Sequence, residues 1–502
     1  MLGGVRPSGA RRSWWLREAL AAESPDLTGA ASPLVGSRTA DVVIVGGGYT
    51  GLWTAWRLTE LEPGARIAVL EADICGGGPS GRNGGFVTGW WDELPTLVER
   101  HGRAGALATA WAIDEAVDTI GDWCRANHVD AWYTKAGALS VSAAPAQDAA
   151  WDEAVEICGD LGVAEEYARL GVDEVRARVV SPVFRAGVLM RGAATVQPAL
   201  LARGLRRVLL GRGVTIHEGT QVVALDGERP GALGRMGAAG RRAPAGRRGR
   251  PVRVRTVSPN GEGEVIAHSA VVAMNAWAAA WPSFGRRLVT WSSYIVLTEP
   301  IPDRLAELGW TGGEGVADGR VTLHYLRTTP DGRIALGGGG GRAGFGGRIG
   351  SASTDDLGST RRAAAGLRRL FPSLRDVRIA DAWGGPIDIT ADHLPIFASV
   401  PGRPIHFGHG YSGNGVAPSV VGGRILAALA AERSDDPALA LPLVGHLPRA
   451  FPPEPIRYVG ARVVREAIVR TESAQERGLR PSSLLRQLSR LPRRLGYHLG
   501  LE

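Results

Sequence analysis

Residues 41–58 read DVVIVGGGYTGLWTAWRL. A β-branched apolar run enters a turn in which Gly46, Gly48 and Gly51 are spaced G-x-G-x-x-G around Tyr49 and Thr50, and apolar residues then recur at helical intervals. The next apolar run, ARIAVLEAD at 65–73, ends at Glu71, twenty residues after Gly51. A strand before the glycines, a helix after them and an acid closing the following strand turn a weak pattern into a specific one for a dinucleotide. The first glycine permits the turn, the second admits a pyrophosphate to the main chain, and the third lets helix and strand pack. The helix N-terminus supplies donors and the positive end of a dipole. Glu71 is the expected acceptor for ribose hydroxyls.

The rest of the chain is large enough for more than one domain: 502 residues, 44% of them apolar. Its net charge of +8 sits in two places. Residues 229–250 hold seven Arg and no acid, and residues 443–502 hold eleven Arg against five Glu, so the remaining body is mildly acidic. That distribution argues against a nucleic-acid groove, which needs cations clustered on a folded face. Lys135 is the only lysine. Cys75, Cys124 and Cys158 lack C-x-x-C or metal spacing, so no metal is expected and the thiols read as reduced. The start has an Arg pair but no uncharged apolar run of signal length, and no stretch reaches membrane-span length. A cytoplasmic protein is expected.

Two further soft segments lie far from the first turn: GPSGRNGGF at 78–86 and GYSGNGV at 410–416, the latter opening another helical pattern. A purely nicotinamide reading of the short-chain dehydrogenase kind needs Tyr-x-x-x-Lys, and Ala131 stands where the Tyr before Lys135 would be. A flavin coenzyme is a longer ligand, and its ring requires extra points of close main-chain approach. Low-complexity RPGALGRMGAAGRRAPAGRRGRP, at 229–251, lies between TQVVAL and PVRVRTV and is expected to lengthen a hairpin loop.

These segments, together with VVAMNAWA (271–278), YLRTTPDGRIALGGGG (325–340), GPIDITADHLPIF (385–397) and GYSGNGVAPSVVGGRILA (410–427), resemble the D-amino-acid-oxidase-type FAD-dependent oxidoreductases. The likeness is nearest the branch that contains γ-glutamylputrescine oxidase and runs in order over roughly residues 13–470. It implies an α/β fold (α+β overall), with a glutathione-reductase-like FAD/NAD(P)-binding Rossmann domain interleaved with a mixed-sheet substrate domain. The expected division is an arm at 1–39 and FAD-binding parts at 40–95, 193–275 (with a flexible basic insert at 229–251) and 381–435. Substrate parts fall at 96–192 and 276–380, and a basic helical tail at 436–502.

By the same resemblance Ser80, Arg82, Asn83, Gly84 and Gly85 lie along the FAD, and Val222 offers its backbone to the adenine. Gly413, Asn414, Gly415 and Val416 aim a helix N-terminus at the ring, where negative charge develops during reduction. Tyr325 and Arg327 alternate on one strand face, and Trp383 precedes a glycine pair; these three, with Asn414, are the candidate catalytic and cage residues. The implied activity is oxidation of an amine C–N bond by hydride transfer to flavin N5, with the imine then hydrolysed.

Two departures from the family pattern sharpen this. No Cys stands in GPIDITADH, so FAD is expected to be noncovalent, and Ala417 stands where sarcosine-oxidase-like members place a substrate-carboxylate lysine, which disfavours a small free amino acid. O2 or another acceptor takes the electrons; a lysine to activate O2 would have to be Lys135. Alternatives are a flavoprotein subunit or dehydrogenase serving a partner, and a flavin oxidoreductase tailoring a biosynthetic product. In the tail, Ile456, Val459, Val463 and Ala467 form one stripe, expected to pack on the body. Beyond it Leu484, Leu488, Leu491 and Leu495 interleave with Arg486, Arg490, Arg493 and Arg494, a solvated tail or a weak membrane-surface contact.

Overall fold

A computed structural model describes residues 12–24, 31–226 and 250–498. The basic insert expected at 229–251 therefore lies outside the described residues except for Arg250 and Pro251. The strands flanking it, Gln221–Leu225 and Val252–Ser258, pair antiparallel, so the insert does join two arms of a hairpin.

Strand Gly36–Val45 is the centre of the first of two eight-stranded sheets. It runs parallel to Gly261–Val272 on one side and Ile67–Leu70 on the other. Ile405–His409 and Thr215–His217 extend the parallel order outward, Ile396–Ser399 closes one edge antiparallel, and the 221–258 hairpin hangs on Gly261–Val272. Ile67–Leu70 and Val42–Val45 are buried at every residue, as strands covered on both faces must be. The covering elements include helix Tyr49–Leu61, which follows the first glycine turn, and helix Val416–Ala430, which follows the late one. These two helices cross so closely that a Cβ on Gly423 would stand 2.6 Å from the Trp53 Cβ.

The second sheet runs in the order 379–389, 289–298, 334–343, 325–328, 315–318, 138–141, 187–190, 167–170. It is antiparallel except where Gly315–Asp318 meets Ala138–Val141. Strand Ile379–Ile389 belongs to it entirely, so the division expected at 380–381 would cut a strand. The division expected at 39–40 likewise falls inside Gly36–Val45.

The termini depart from expectation. Residues 14–21 of the expected arm form a helix with Trp15 and Leu16 fully buried. In the tail, helix Ile456–Gln475 does pack on the body, but only one residue of its apolar stripe faces inward. Ala467 is buried, whereas Ile456, Val459 and Val463 are 63, 55 and 45% exposed. The cause is ionic. Glu472 is buried and accepts hydrogen bonds from Arg320 (3.0 Å) and the Thr322 N–H (3.1 Å), Glu476 pairs with Arg369 at 2.6 Å, and Arg465 donates to the Gly340 carbonyl at 2.7 Å. These groups fix which side faces inward. The Leu/Arg segment beyond is two short helices, Ser483–Ser489 and Leu491–Arg494, and Pro492 sits in the first turn of the second.

Candidate functional site

Gly46 has φ +114°, and a Cβ there would lie 2.3 Å from the Ala273 carbonyl oxygen; one on Gly51 would lie 2.0 Å from the Gly46 oxygen. Only glycine lets the turn, the next parallel strand and the helix come this close. Gly48 is different. A Cβ there would meet nothing nearer than the Ser80 hydroxyl, at 3.0 Å. Gly48 caps helix Tyr49–Leu61 without a side chain, and the Ser80 hydroxyl accepts from the Tyr49 N–H at 2.9 Å. The Glu71 carboxylate accepts from the main-chain N–H of Gly47 (2.7 Å) and of Asp73 (2.8 Å), and burial pushes its pKa up to about 7. The Thr220 N–H donates to the Glu71 carbonyl, which brings Val222, two residues on, alongside the end of that strand.

The 78–86 loop reaches from this turn to the second sheet. Asn83 shapes it: its amide donates to the carbonyls of Pro79 and Ser80, and its oxygen accepts from the Gly85 N–H at 2.7 Å. A Cβ on Gly84 would stand 2.7 Å from the Tyr325 ring. One on Gly85, at φ +77°, would stand 2.0 Å from the Val196 carbonyl and 2.5 Å from the Arg327 guanidinium. Tyr325 and Arg327 thus share the strand face that meets the loop. Tyr325 lies over Gly337, exchanges a hydrogen bond with Ser293 (3.0 Å) and contacts Phe86 edge to face.

The other two second-sheet candidates point elsewhere than a cage. Arg327 is buried, donates to the Val196 carbonyl and lies 5.7 Å from the Trp15 ring. Trp383 is buried against Trp15, and its indole N–H donates to the Arg82 carbonyl at 2.9 Å. Arg82 itself donates to the carbonyls of Gly77 and Gly384.

The late turn joins the same neighbourhood. Gly415 caps helix Val416–Ala430 without a side chain, Gly413 has φ +95°, and Asn414 Oδ1 accepts from the Thr88 hydroxyl at 3.0 Å. Tyr411 accepts from the Thr50 hydroxyl at 2.7 Å, so the two glycine turns are bonded to each other. Buried Asp388 organises the late turn: its carboxylate accepts from Gly410 N–H and from Asn275 (2.8 Å), its carbonyl accepts from Ser412 N–H, and burial raises its pKa to about 6. Lys135 is not part of this arrangement; its ammonium pairs with Asp118 at 2.6 Å and is 41% exposed.

Sequence reasoning missed Ser13, Trp15, Thr88, Gln197, Asp388 and Tyr411. For the arm there was a signal, the adjacent Trp14 and Trp15 in an otherwise polar stretch. The others are ordinary polar residues whose partners lie far along the chain.

A glycine-turn Rossmann sheet joined by a second, mixed sheet to a soft loop and a second helix N-terminus defines a dinucleotide-dependent oxidoreductase. The chain matches the FAD dependent oxidoreductase (DAO) family over residues 41–429, and it belongs to that family. It is 28% identical over 405 residues to the γ-glutamylputrescine oxidoreductase of Escherichia coli K12, covering 80% of this chain and 86% of that protein. It is 29% identical over 411 residues to a probable oxidoreductase, OrdL, of Rhizobium meliloti, covering 80% and 85%. Among solved structures, glycine oxidase from Geobacillus kaustophilus has the same fold, with a TM-score of 0.61 at 18% identity over 82% of this chain and 99% of that one. The protein is an FAD-dependent oxidoreductase. The residues present fit that cofactor. Two helices that begin at glycine caps, Gly48 and Gly415, suit the close approach of a diphosphate and of an electron-rich ring to their N-terminal N–H groups.

Proposed function

We propose that the chain oxidises the C–N bond of an amine that carries no carboxylate beside the reacting carbon. One observation carries this reading: the late helix opens on buried Ala417 and the one lysine of the chain is held by an acid, while the two nearby arginines are directed to main-chain carbonyls. Arg327 is turned to the Val196 carbonyl under Trp15, Arg82 to Gly77 and Gly384, and Lys135 to Asp118, while buried Ala417 opens the late helix. The named activity of the Escherichia coli relative supports the same class. When bound, FAD supplies the acceptor for the hydride leaving the amine-bearing carbon.

In this reading the turn 46–51 with Glu71 and the strand at Val222 hold the adenosine and diphosphate, and Ser80, Asn83, Gly84 and Gly85 line the ring. The N-terminus at Gly413–Val416 stabilises charge on it, with Asn414 fixed by Thr88. Tyr325 forms the wall opposite, while Arg327 and Trp383 hold the loop in place and do not touch substrate. The FAD-binding and substrate parts interleave as the resemblance implies, with the start of the third FAD-binding part moved to follow Ile389. Imine hydrolysis follows release from the site.

The test is anaerobic bleaching of the bound flavin by a panel of polyamines, secondary amines and amino acids. Reduction by amines without a carboxylate is expected; reduction only by amino acids, alcohols or thiols overturns the reading. A second reading, electron transfer to an acceptor other than O2, is favoured by Lys135, since its ammonium is held by Asp118 and O2 would react without a lysine beside the ring. Dye reduction outpacing oxygen uptake supports it.

The tail from Arg477 to Arg494 holds six Arg and no acid, and Leu479, Leu484, Leu491 and Leu495 are exposed. We assign it a weak affinity for anionic lipid surfaces. Among the described residues no helix is long and apolar enough to cross a membrane.

A further inference from the structure

The family match begins at residue 41, and the helix Trp14–Ala21 lies before it. Yet this helix is tied at point after point to the segment 73–85. Arg12 pairs with Asp73 (2.8 Å), and the Ser13 hydroxyl donates to the Gly81 carbonyl at 2.6 Å, in a buried setting. Trp15 is fully buried with its ring edge to face on Trp383 at 5.8 Å, and Trp383 in turn donates to the carbonyl of Arg82. The Trp15 carbonyl accepts from Gln197 at 2.8 Å, and Gln197 caps the helix that starts at Pro198. Arg327 joins Trp15 to the Val196 carbonyl, the atom against which Gly85 lies. Beyond the helix, Glu23 accepts from Arg203 and Arg206, which also bind Glu218, whose carboxylate accepts from the Cys75 N–H.

Two successive carbonyls of the loop, those of Gly81 and Arg82, are therefore held from behind by the arm, one directly and one through Trp383. A carbonyl direction fixes its whole peptide plane. Fixing these two sets where Asn83, Gly84 and Gly85 stand beneath Tyr325. A loop with four glycines among nine residues has much freedom to lose, so a pre-set backbone lowers the cost of ordering it on a ligand.

We propose that residues 12–23 are a clamp that pre-organises the loop for FAD, with Ser13 and Trp15 as positioning residues that act on cofactor affinity without touching the cofactor. The proposal rests on the assignment of the loop to FAD and is independent of the amine reading.

The experiment measures the FAD dissociation constant of the full-chain apoprotein by flavin fluorescence, with the melting temperature of the same apoprotein alongside. Trp15→Ala is expected to weaken FAD binding about tenfold or more. Ser13→Gly keeps a tolerated helix cap but removes the donor to Gly81; it is expected to weaken FAD about fivefold while the apoprotein melts close to wild type. Ser13→Thr restores the donor and should bind within about twofold of wild type. Should Trp15→Ala fail to fold, the Ser13 pair decides alone. FAD affinity unchanged in Ser13→Gly while Gly85→Ala weakens it overturns the clamp; affinity unchanged in both overturns the assignment of the loop and the clamp with it. Amines that fail to reduce a tightly bound flavin count against the proposed function and not against the clamp.

Discussion

The two ends of the chain look alike as sequence and behave in opposite ways as structure. Each is a short Arg-bearing segment beyond the family match, and each forms helix. The arm buries Trp15 and Leu16 completely and seats Glu23, only 5% exposed, between Arg203 and Arg206. The tail helix turns Ile456, Val459 and Val463 to solvent and buries a glutamate. Apolar content gives the same order, since WWLREALA is the more apolar of the two helices, but it does not say which face of the tail turns inward. What separates them is the partner each finds: the arm meets a pocket of Trp132, Trp383 and Gln197 that accepts indole rings, besides the cations Arg203 and Arg206, whereas the contacts that fix the tail are with cations, Arg320 and Arg369. A helix is oriented by its most costly group to leave unpaired, and for the tail that group is an ion.

Breaking the arm's ionic anchor is the severest test of that contrast. Glu23→Ala leaves two buried guanidinium groups with Glu218 as the acid that still pairs with both among the described residues, and is expected to cost about 3–5 kcal/mol of stability in urea unfolding. Glu466→Ala removes an exposed partner of Arg470 in the tail and is expected to cost less than about 0.5 kcal/mol. Equal effects would mean that the buried pairs of the arm hold no more firmly than an exposed pair on the tail. A smaller effect is expected on the outward side of the tail. Changing Arg486, Arg490 and Arg493 together to Glu should abolish co-sedimentation with phosphatidylserine vesicles, at about 1 kcal/mol per charge. Wild-type protein that ignores such vesicles at low salt would leave the exposed leucines as a merely solvated surface.

The contrast also shows what a sequence discloses. The turn 41–58 and the strand ending at Glu71 were legible because their logic is local: glycine spacing, apolar runs and an acid at a fixed offset. The pairing of the strands flanking the basic insert was legible for the same reason. Illegible were the directions of Arg327 and Trp383. A strand position names a face, but the indole N–H of Trp383 finds its acceptor 301 residues earlier, and Arg327 finds its carbonyl 131 residues earlier. The outward stripe at Ile456 was misread because periodicity reports apolar spacing and says nothing of Glu472, whose partner Arg320 is 152 residues away.

A pH effect joins the arm to the first turn, and the share of it due to Arg12 is the smallest effect expected. Burial raises the Glu71 carboxyl from 4.5 to about 7, and the charge of Asp73, which pairs with Arg12 of the arm, adds to that rise. A carboxyl that binds its proton more tightly when folded contributes stability that is complete below its unfolded pKa and is lost as pH rises through the folded value. Apoprotein stability should therefore fall between about pH 4.5 and about pH 7 by the share due to Glu71, and Glu71→Gln should flatten that fall in melting curves recorded across the window. Arg12→Ala should steepen it slightly, because an Asp73 carboxylate left without its cation beside Glu71 favours the protonated form. An unchanged slope in Glu71→Gln would assign the pH dependence to other buried carboxyls, of which Asp388, raised to about 6, titrates in the same window at the opposite turn.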